Sequence, residues 1–288
     1  MLSSQEVEFY RENGYLGVEN VLSREELEVM RGVIDEFVEQ SRSVTQSNSV
    51  YDLEPGHTSE NPRLRRLKEP IKQHEVFTQT LHHKKILEIV SQLIGPDLRC
   101  NGDKLNMKLA EFGSPVEWHQ DWAFYPHTND DLLAVGIAID EMTEENGCLL
   151  VVPGSHKGRI YDHHQDGYFA GAVTEDDFND ADAVPVLVGE SGISIHHVRT
   201  LHGSLPNTST NPRRLLLYQY CAADAWPLAQ PVKSWDDFNA TLVTGEPVLE
   251  PRVTEVPVRV PFPSAPKSGS IYEIQTTLKK PLYGKKAG

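Results

Sequence analysis

Basic residues are scarce in this chain, cysteine is nearly absent, and no long apolar run occurs. Lysine and arginine number 27 against 42 acidic residues, a formal net charge of −15 over 288 residues. That surplus repels phosphate backbones and anionic headgroups, so neither nucleic acid nor a membrane surface is an expected partner. No stretch approaches the roughly 18 apolar residues that a membrane-spanning helix requires. The opening residues, Met1-Leu2-Ser3-Ser4-Gln5-Glu6, lack a basic region followed by an apolar run, so no signal peptide is expected. The cysteines Cys100, Cys148 and Cys221 are odd in number and far apart. They form no disulfide framework and fit a reducing compartment, so the expected location is cytoplasmic. There is no internal repeat.

What is present is ordinary globular material, 39% hydrophobic and 24% charged, and long enough to bury a sizeable core. Residues 1–100 read as helical. Ser3 to Glu6 and Ser23 to Glu26 both carry the S-x-x-E capping pattern. Leu27, Met30, Ile34 and Phe37 follow the second at helical spacing. Residues 43–62 read as a long polar loop, and Glu75 to Ile94 as one helix ended by Gly95-Pro96. From about residue 104 the pattern changes to short apolar runs divided by turns. They are Leu105 to Leu109, Leu132 to Ile139, Cys148 to Val152, Val184 to Val188, Ile193 to Val198 and Leu215 to Tyr220. Such spacing predicts a β-sandwich or barrel. Residues 158–183 form a polar, acidic insertion, and Val232 to Gly288 reads as loops and edge strands.

The informative stretch is Val116-Glu117-Trp118-His119-Gln120-Asp121-Trp122. On an extended strand, residues i and i+2 project from one face, so His119 and Asp121 can reach a single metal ion. The turn signal Gly113-Ser114-Pro115 before it and Pro126 after it favour an extended segment. A third donor has to come from elsewhere among the 12 histidines. Most of them lie in polar or helical contexts and read as surface or capping residues. His196 and His197 sit inside an apolar strand pattern; one must face inward, where a hydrogen-bonded core role is expected. His202 is different. It is read as ending an apolar strand, beside Gly203 and ahead of the loop Leu205 to Pro212, where a donor faces a cavity.

Two imidazoles and one carboxylate make the facial set of non-haem Fe(II) oxygenases, although zinc takes the same donors. Arg213 opens the strand after the loop. Its guanidinium suits a dicarboxylate held at its far end, or it is an exposed strand-start charge.

The segments His119-Gln120-Asp121, Glu145-Asn146-Gly147-Cys148, Pro153-Gly154-Ser155-His156-Lys157-Gly158 and His202-Gly203-Ser204, followed by Arg213, together resemble the phytanoyl-CoA dioxygenase family. The resemblance covers roughly residues 100–221, with a weaker helical match before them. It implies a mainly β fold with flanking helices, the double-stranded β-helix (jelly roll, cupin-like). It also implies a single domain over 1–288, with a helical region 1–100 packed on a jelly-roll core 101–288. The cofactor it implies is Fe(II), with 2-oxoglutarate and O2 as cosubstrates. Carried across, His119, Asp121 and His202 match the iron ligands. Arg213 matches the residue that binds the distal carboxylate of 2-oxoglutarate, Ser204 a hydroxyl donor to it, and Gln120 a polar contact beside it. An upstream basic residue of some members falls near Arg65, Arg66 or Lys68, with Arg66 preferred. An aromatic residue of the family pattern appears here as Ile137. Trp122, Phe124 and Tyr125, directly after the H-x-D segment, are expected to help line the substrate side, with plain core packing as the alternative.

The expected activity is hydroxylation of a small-molecule or acyl substrate with release of succinate and CO2; the carboxylate of Asp121 favours this over halogenation. The alternatives are a zinc-dependent hydrolase or isomerase, or a ligand-binding protein, on a cupin-like barrel. Neither substrate nor oligomeric state is legible.

Overall fold

A computed structural model gives the architecture and describes residues 1–110, 113–229, 232–258, 264–267 and 269–283. In chain order the strands are β1 (Tyr15–Val18), β2 (Tyr51–Leu53), β3 (Leu64–Lys68), β4 (Leu98–Lys108), β5 (Val116–His119), β6 (Leu132–Ala138), β7 (Leu149–Val151), β8 (His164–Gln165), β9 (Tyr168–Phe169), β10 (Val184–Val186), β11 (Ile193–His197), β12 (His202–Ser204), β13 (Arg213–Ala222) and β14 (Leu242–Thr244). The helices are α1 (Ser4–Asn13), α2 (Arg24–Ser41), α3 (Pro70–Gln73), α4 (Glu75–Leu81), α5 (Lys84–Ile94), α6 (Trp235–Asn239) and α7 (Ile271–Gln275).

A large sheet runs β1-β11-β6-β13-β4-β3-β2, with β14 also on β4, and a smaller one runs β10-β7-β12-β5. Their pairings are antiparallel. This is the mainly β jelly roll with flanking helices. Every apolar run read as a strand from residue 104 onward contributes to one of the two sheets.

Alternation gives the large sheet two characters. On β13, Leu216, Tyr218 and Tyr220 point outward into a core shared with Ile34, Phe77, Ile86 and Val90 of the helices. Burying each such side chain contributes about 1.5–3 kcal/mol. Arg213, Leu215 and Leu217 point the other way, into the cavity between the sheets. Ile137 is on the helix side and fully buried there, so its side chain does not line that cavity.

The helix starts follow the sequence. Both Ser3 and Ser23 form complete capping boxes with Glu6 and Glu26. Four expectations need correction. Residues 1–100 are not a helical layer alone: β1 pairs with β11, and β2 and β3 extend the large sheet beyond β4. The stretch 43–62, expected as loop, thus contains a strand, because Tyr51 to Leu53 finds Leu64 to Leu67 as a partner that no local pattern announces. The expected helix 75–94 is broken at His82-His83, where the carbonyl of Leu81 accepts the Tyr220 hydroxyl at 2.8 Å. Within 232–288, α7 packs over the cavity; residues 259–263, 268 and 284–288 of that segment lie outside those described.

The Tyr220 hydroxyl and the Tyr218 hydroxyl (2.6 Å to the Phe77 carbonyl) tie the large sheet to α4. Tyr220→Phe leaves a buried carbonyl without its donor, so urea denaturation should show a loss of about 1–3 kcal/mol. An unchanged midpoint would mean that this bond does not fasten the helix.

Candidate metal centre

The small sheet sets the site. β5 and β12 run antiparallel with His119 opposite His202, their rings 4.0 Å apart. Gln120 keeps extended backbone angles, and Asp121 opens a short 3-10 turn, so its carboxylate swings under the two imidazoles. The reading of His202 as a strand end is corrected here: β11 stops at His197, and His202 begins β12 after a tight turn.

The donor atoms of His119, Asp121 and His202 lie within 4.8 Å of one another, and all three residues are buried. The Nε2 atoms of His119 and His202 are 3.7 and 4.0 Å from Asp121 Oδ1. Each imidazole has its other nitrogen engaged: Nδ1 of His119 donates to the Glu117 carbonyl at 2.8 Å, and Nδ1 of His202 to the Thr200 carbonyl at 2.9 Å. A proton fixed on Nδ1 leaves the Nε2 lone pair facing the cavity, the arrangement that orients a metal-ligating histidine. Burial lowers the His119 imidazole to about 4 and holds His202 well below its ordinary value. Both are therefore neutral near pH 7. Burial alone would raise the Asp121 carboxyl, but His196, Lys104 and His202 outweigh it and hold it well below the carboxylate range. Two neutral imidazoles and one carboxylate on one face can hold a divalent iron and leave positions open opposite them.

The cavity here has an empty volume of about 540 Å³ and is walled by both sheets and α7. Arg213 stands at one end, only 3% exposed, with Nη2 donating to the Gly147 carbonyl at 2.9 Å. That contact gives the Glu145 to Cys148 motif a purpose. Gly147 adopts φ 76°, and a Cβ there would meet the Leu205 carbonyl at 2.4 Å, so only glycine presents its carbonyl to Arg213 so closely. Arg214 faces the other way and pairs with Asp140 and Asp35. Ser204 lines the same end; its hydroxyl accepts from Lys108 Nζ at 2.8 Å. Arg66 joins them, held by Asn106 at 2.7 Å and stacked over the Tyr272 ring at 5.1 Å.

Other expected contacts lie elsewhere. The Gln120 amide is used up by structure: it donates to the Arg159 and Arg199 carbonyls and accepts from the Tyr161 amide, so it is turned from the cavity. Trp122 is buried in a separate apolar cluster with its indole N–H on the Pro257 carbonyl. Phe124 packs edge-on against His119 at 5.6 Å, and the Tyr125 hydroxyl accepts from Gln219 at 2.5 Å. None of these three lines the cavity described. Sequence reasoning passed over Lys104, Lys108 and Tyr272, and it expected of His196 or His197 a hydrogen-bonded core role, whereas His196 lines the cavity with neither ring nitrogen hydrogen-bonded. Tyr272 gave no signal. Lys104, Lys108 and the choice of His196 over His197 needed the strand register.

The sequence model of the phytanoyl-CoA dioxygenase family matches residues 10–215. Among curated proteins, the probable alpha-ketoglutarate-dependent hypophosphite dioxygenase of Stutzerimonas stutzeri is 37% identical, across 98% of this chain and 100% of the relative. L-proline trans-4-hydroxylase of Streptomyces griseoviridis is 30% identical over 55% of this chain and 67% of its own. Among solved structures, the non-heme alpha ketoglutarate dependent carbocyclase SnoK from nogalamycin biosynthesis superposes with a TM-score of 0.62 at 26% identity, covering 86% of this chain and 93% of the other.

If the three converging donors hold the metal, His119→Ala and His202→Ala should each retain less than about a tenth of the iron bound by the unaltered protein after anaerobic loading, since each removes one of three ligands. Iron measured per protein chain decides it, and full retention in either variant would sink the assignment.

Proposed function

The chain belongs to the phytanoyl-CoA dioxygenase family, whose members use iron and 2-oxoglutarate, and on that footing we propose that it hydroxylates a small oxyanion, hypophosphite being the first candidate. The observation that carries this is the charge inventory of the cavity. Among the described residues lining it, Arg66, Lys104 and Arg213 are basic, and the sole carboxylate is Asp121, committed to the metal in this reading. An amino-acid substrate would bring an ammonium that finds no acidic partner there, and burying an unpaired charge is costly. An acyl chain would leave the basic groups unanswered. A compact anion answers them and brings no ammonium. The full-length relative named for hypophosphite supports the same class.

Iron bound at the triad supplies dioxygen activation coupled to oxidative decarboxylation of 2-oxoglutarate. One oxygen atom enters succinate, and the other converts a P–H bond of hypophosphite into P–OH, giving phosphite; carbon dioxide leaves. In our reading the residues divide the work. His119, Asp121 and His202 fix the metal on one side. Arg213 takes the distal carboxylate of 2-oxoglutarate as a two-pronged donor, with Ser204 and Arg66 beside it. Lys108 fixes the Ser204 hydroxyl from behind and also donates to the Leu205 carbonyl. Ile271 and Tyr272 of α7 complete the wall that limits water. Among the described residues no helix is long and apolar enough to cross a membrane. The three free thiols fit the reducing cytosol we assign to the protein.

Hypophosphite added to enzyme, iron, 2-oxoglutarate and O2 should yield phosphite and succinate in equal amounts, followed by phosphorus NMR and succinate assay. Succinate release that ignores hypophosphite would end the substrate assignment. Arg213→Ala should raise the KM for 2-oxoglutarate at least about tenfold, a loss of ~1.4 kcal/mol, with iron content normal. Arg214→Ala should stay within about twofold, because its guanidinium is bound to Asp140 on the opposite face. Equal effects of the two substitutions would remove Arg213 from the cosubstrate site.

A further inference from the structure

Two polar side chains, His196 and Lys104, line the cavity beside Asp121. His196 is 2% exposed, and neither ring nitrogen has a hydrogen-bond partner. Its Nε2 stands 3.6 Å from Asp121 Oδ2, and its ring is 4.2 Å from that of His202. It is not one of the three donors that converge for a metal. A buried imidazole is rarely left without a hydrogen bond, so His196 calls for a ligand, and the half-buried Lys104 lines the same cavity.

The sheet register explains how they meet. Lys104 lies opposite Leu217, which lies opposite Gly136. His196 lies opposite Ala134, which lies opposite Gln219. Lys104 on β4 and His196 on β11 are therefore three strand spacings apart, roughly 14 Å of sheet. The floor between them includes Ala134 and Gly136, which project almost nothing. His196 leans in over this floor to 3.6 Å from Asp121, and Lys104 lines the same cavity from the far side of the floor. Arg213 and Ser204 are farther along the cavity, two residues or more beyond Leu215. The cavity thus has two groups of donors, with the metal triad beside the nearer one.

We propose that Lys104 and His196 form the subsite for the oxyanion substrate, holding its oxygen atoms while its reacting bond faces the metal. This rests on the small-oxyanion reading above and assigns the residues that recognise it. Lys104 supplies the charge, and an imidazole N–H supplies direction. An anion with two oxygens on one centre reaches both; a hydrocarbon reaches neither and leaves the buried imidazole unpaired, which selects against it.

The test is calorimetric titration of hypophosphite, without oxygen, into the protein loaded with Fe(II) and 2-oxoglutarate. Lys104→Met and His196→Phe should keep iron stoichiometry and bind 2-oxoglutarate within about twofold of the unaltered protein, while binding hypophosphite at least about tenfold more weakly. His196→Gln, which retains a donor, should recover part of the loss and serves should the phenylalanine variant misfold. Unchanged hypophosphite affinity in Lys104→Met and His196→Gln overturns the subsite and leaves the substrate class standing. A loss that falls on 2-oxoglutarate instead places these residues at the cosubstrate and also overturns it. If the unaltered protein gives no hypophosphite binding, the substrate class and the subsite fail together.

Discussion

His119 and His202 stand opposite each other across β5 and β12, and the rest of the site is laid out from that register. A slip of one residue would send one imidazole to the other face of the small sheet, because side chains alternate along a strand. The register is held from several sides. Gly203 sits against the Val116 carbonyl, where a Cβ would come within 3.1 Å, so the two strands approach closely. The Thr200 and Glu117 carbonyls each hold an imidazole by its outer nitrogen. Backbone thus orients both rings before any metal arrives, and little ordering cost remains to be met on binding.

The charge distribution follows from burial. Lys104, Lys108, Arg66 and Arg213 all face the space between the sheets, in a chain that is strongly acidic overall. Cations gathered in a cavity repel one another, and the three buried ones have been taken from water, a combination tolerated where each finds an acceptor. Lys108 finds Ser204 and the Leu205 carbonyl, Arg66 finds Asn106 and the Tyr272 ring, and Arg213 finds Gly147. These acceptors are neutral, so the cavity keeps an excess of positive charge for anionic ligands. Bound anions should therefore stabilise the folded chain as well as react in it.

The elements outside the sheets serve that cavity. The helices cover the outer face of the large sheet and let its inner face carry polar side chains without exposing the core. The far C-terminal helix α7 is fastened by the Ser270 hydroxyl on Asp52 and by Gln275 on the Gly171 carbonyl, which sets Ile271 and Tyr272 against the cavity. Asp52 lies on β2, so a strand that reads as loop in the sequence anchors the wall of the site.

Local pattern determined much of this protein. The capping boxes at Ser3 and Ser23, the apolar runs of the sheets, and the H-x-D spacing are all short-range features, carried by residues within a few positions of one another. The family motifs likewise depend on order and spacing, and they pointed to His202, Ser204 and Arg213 before any strand was paired. Tertiary structure decided which face each residue takes. Arg213 and Arg214 have equal claims by alternation, since both faces of β13 are apolar; only the pairing with β4 and β6 turns one inward and gives the other Asp140. His196 and His197 posed the same choice, settled by the register of β11 with β6. Gln120 looked like a cosubstrate contact by adjacency to the ligands, yet its amide is claimed by two loops that only folding brings near. Tyr272 reaches the cavity from the far end of the chain through contacts that no local spacing encodes, because a side chain's surroundings are a property of paired strands and packed helices rather than of its sequence neighbours.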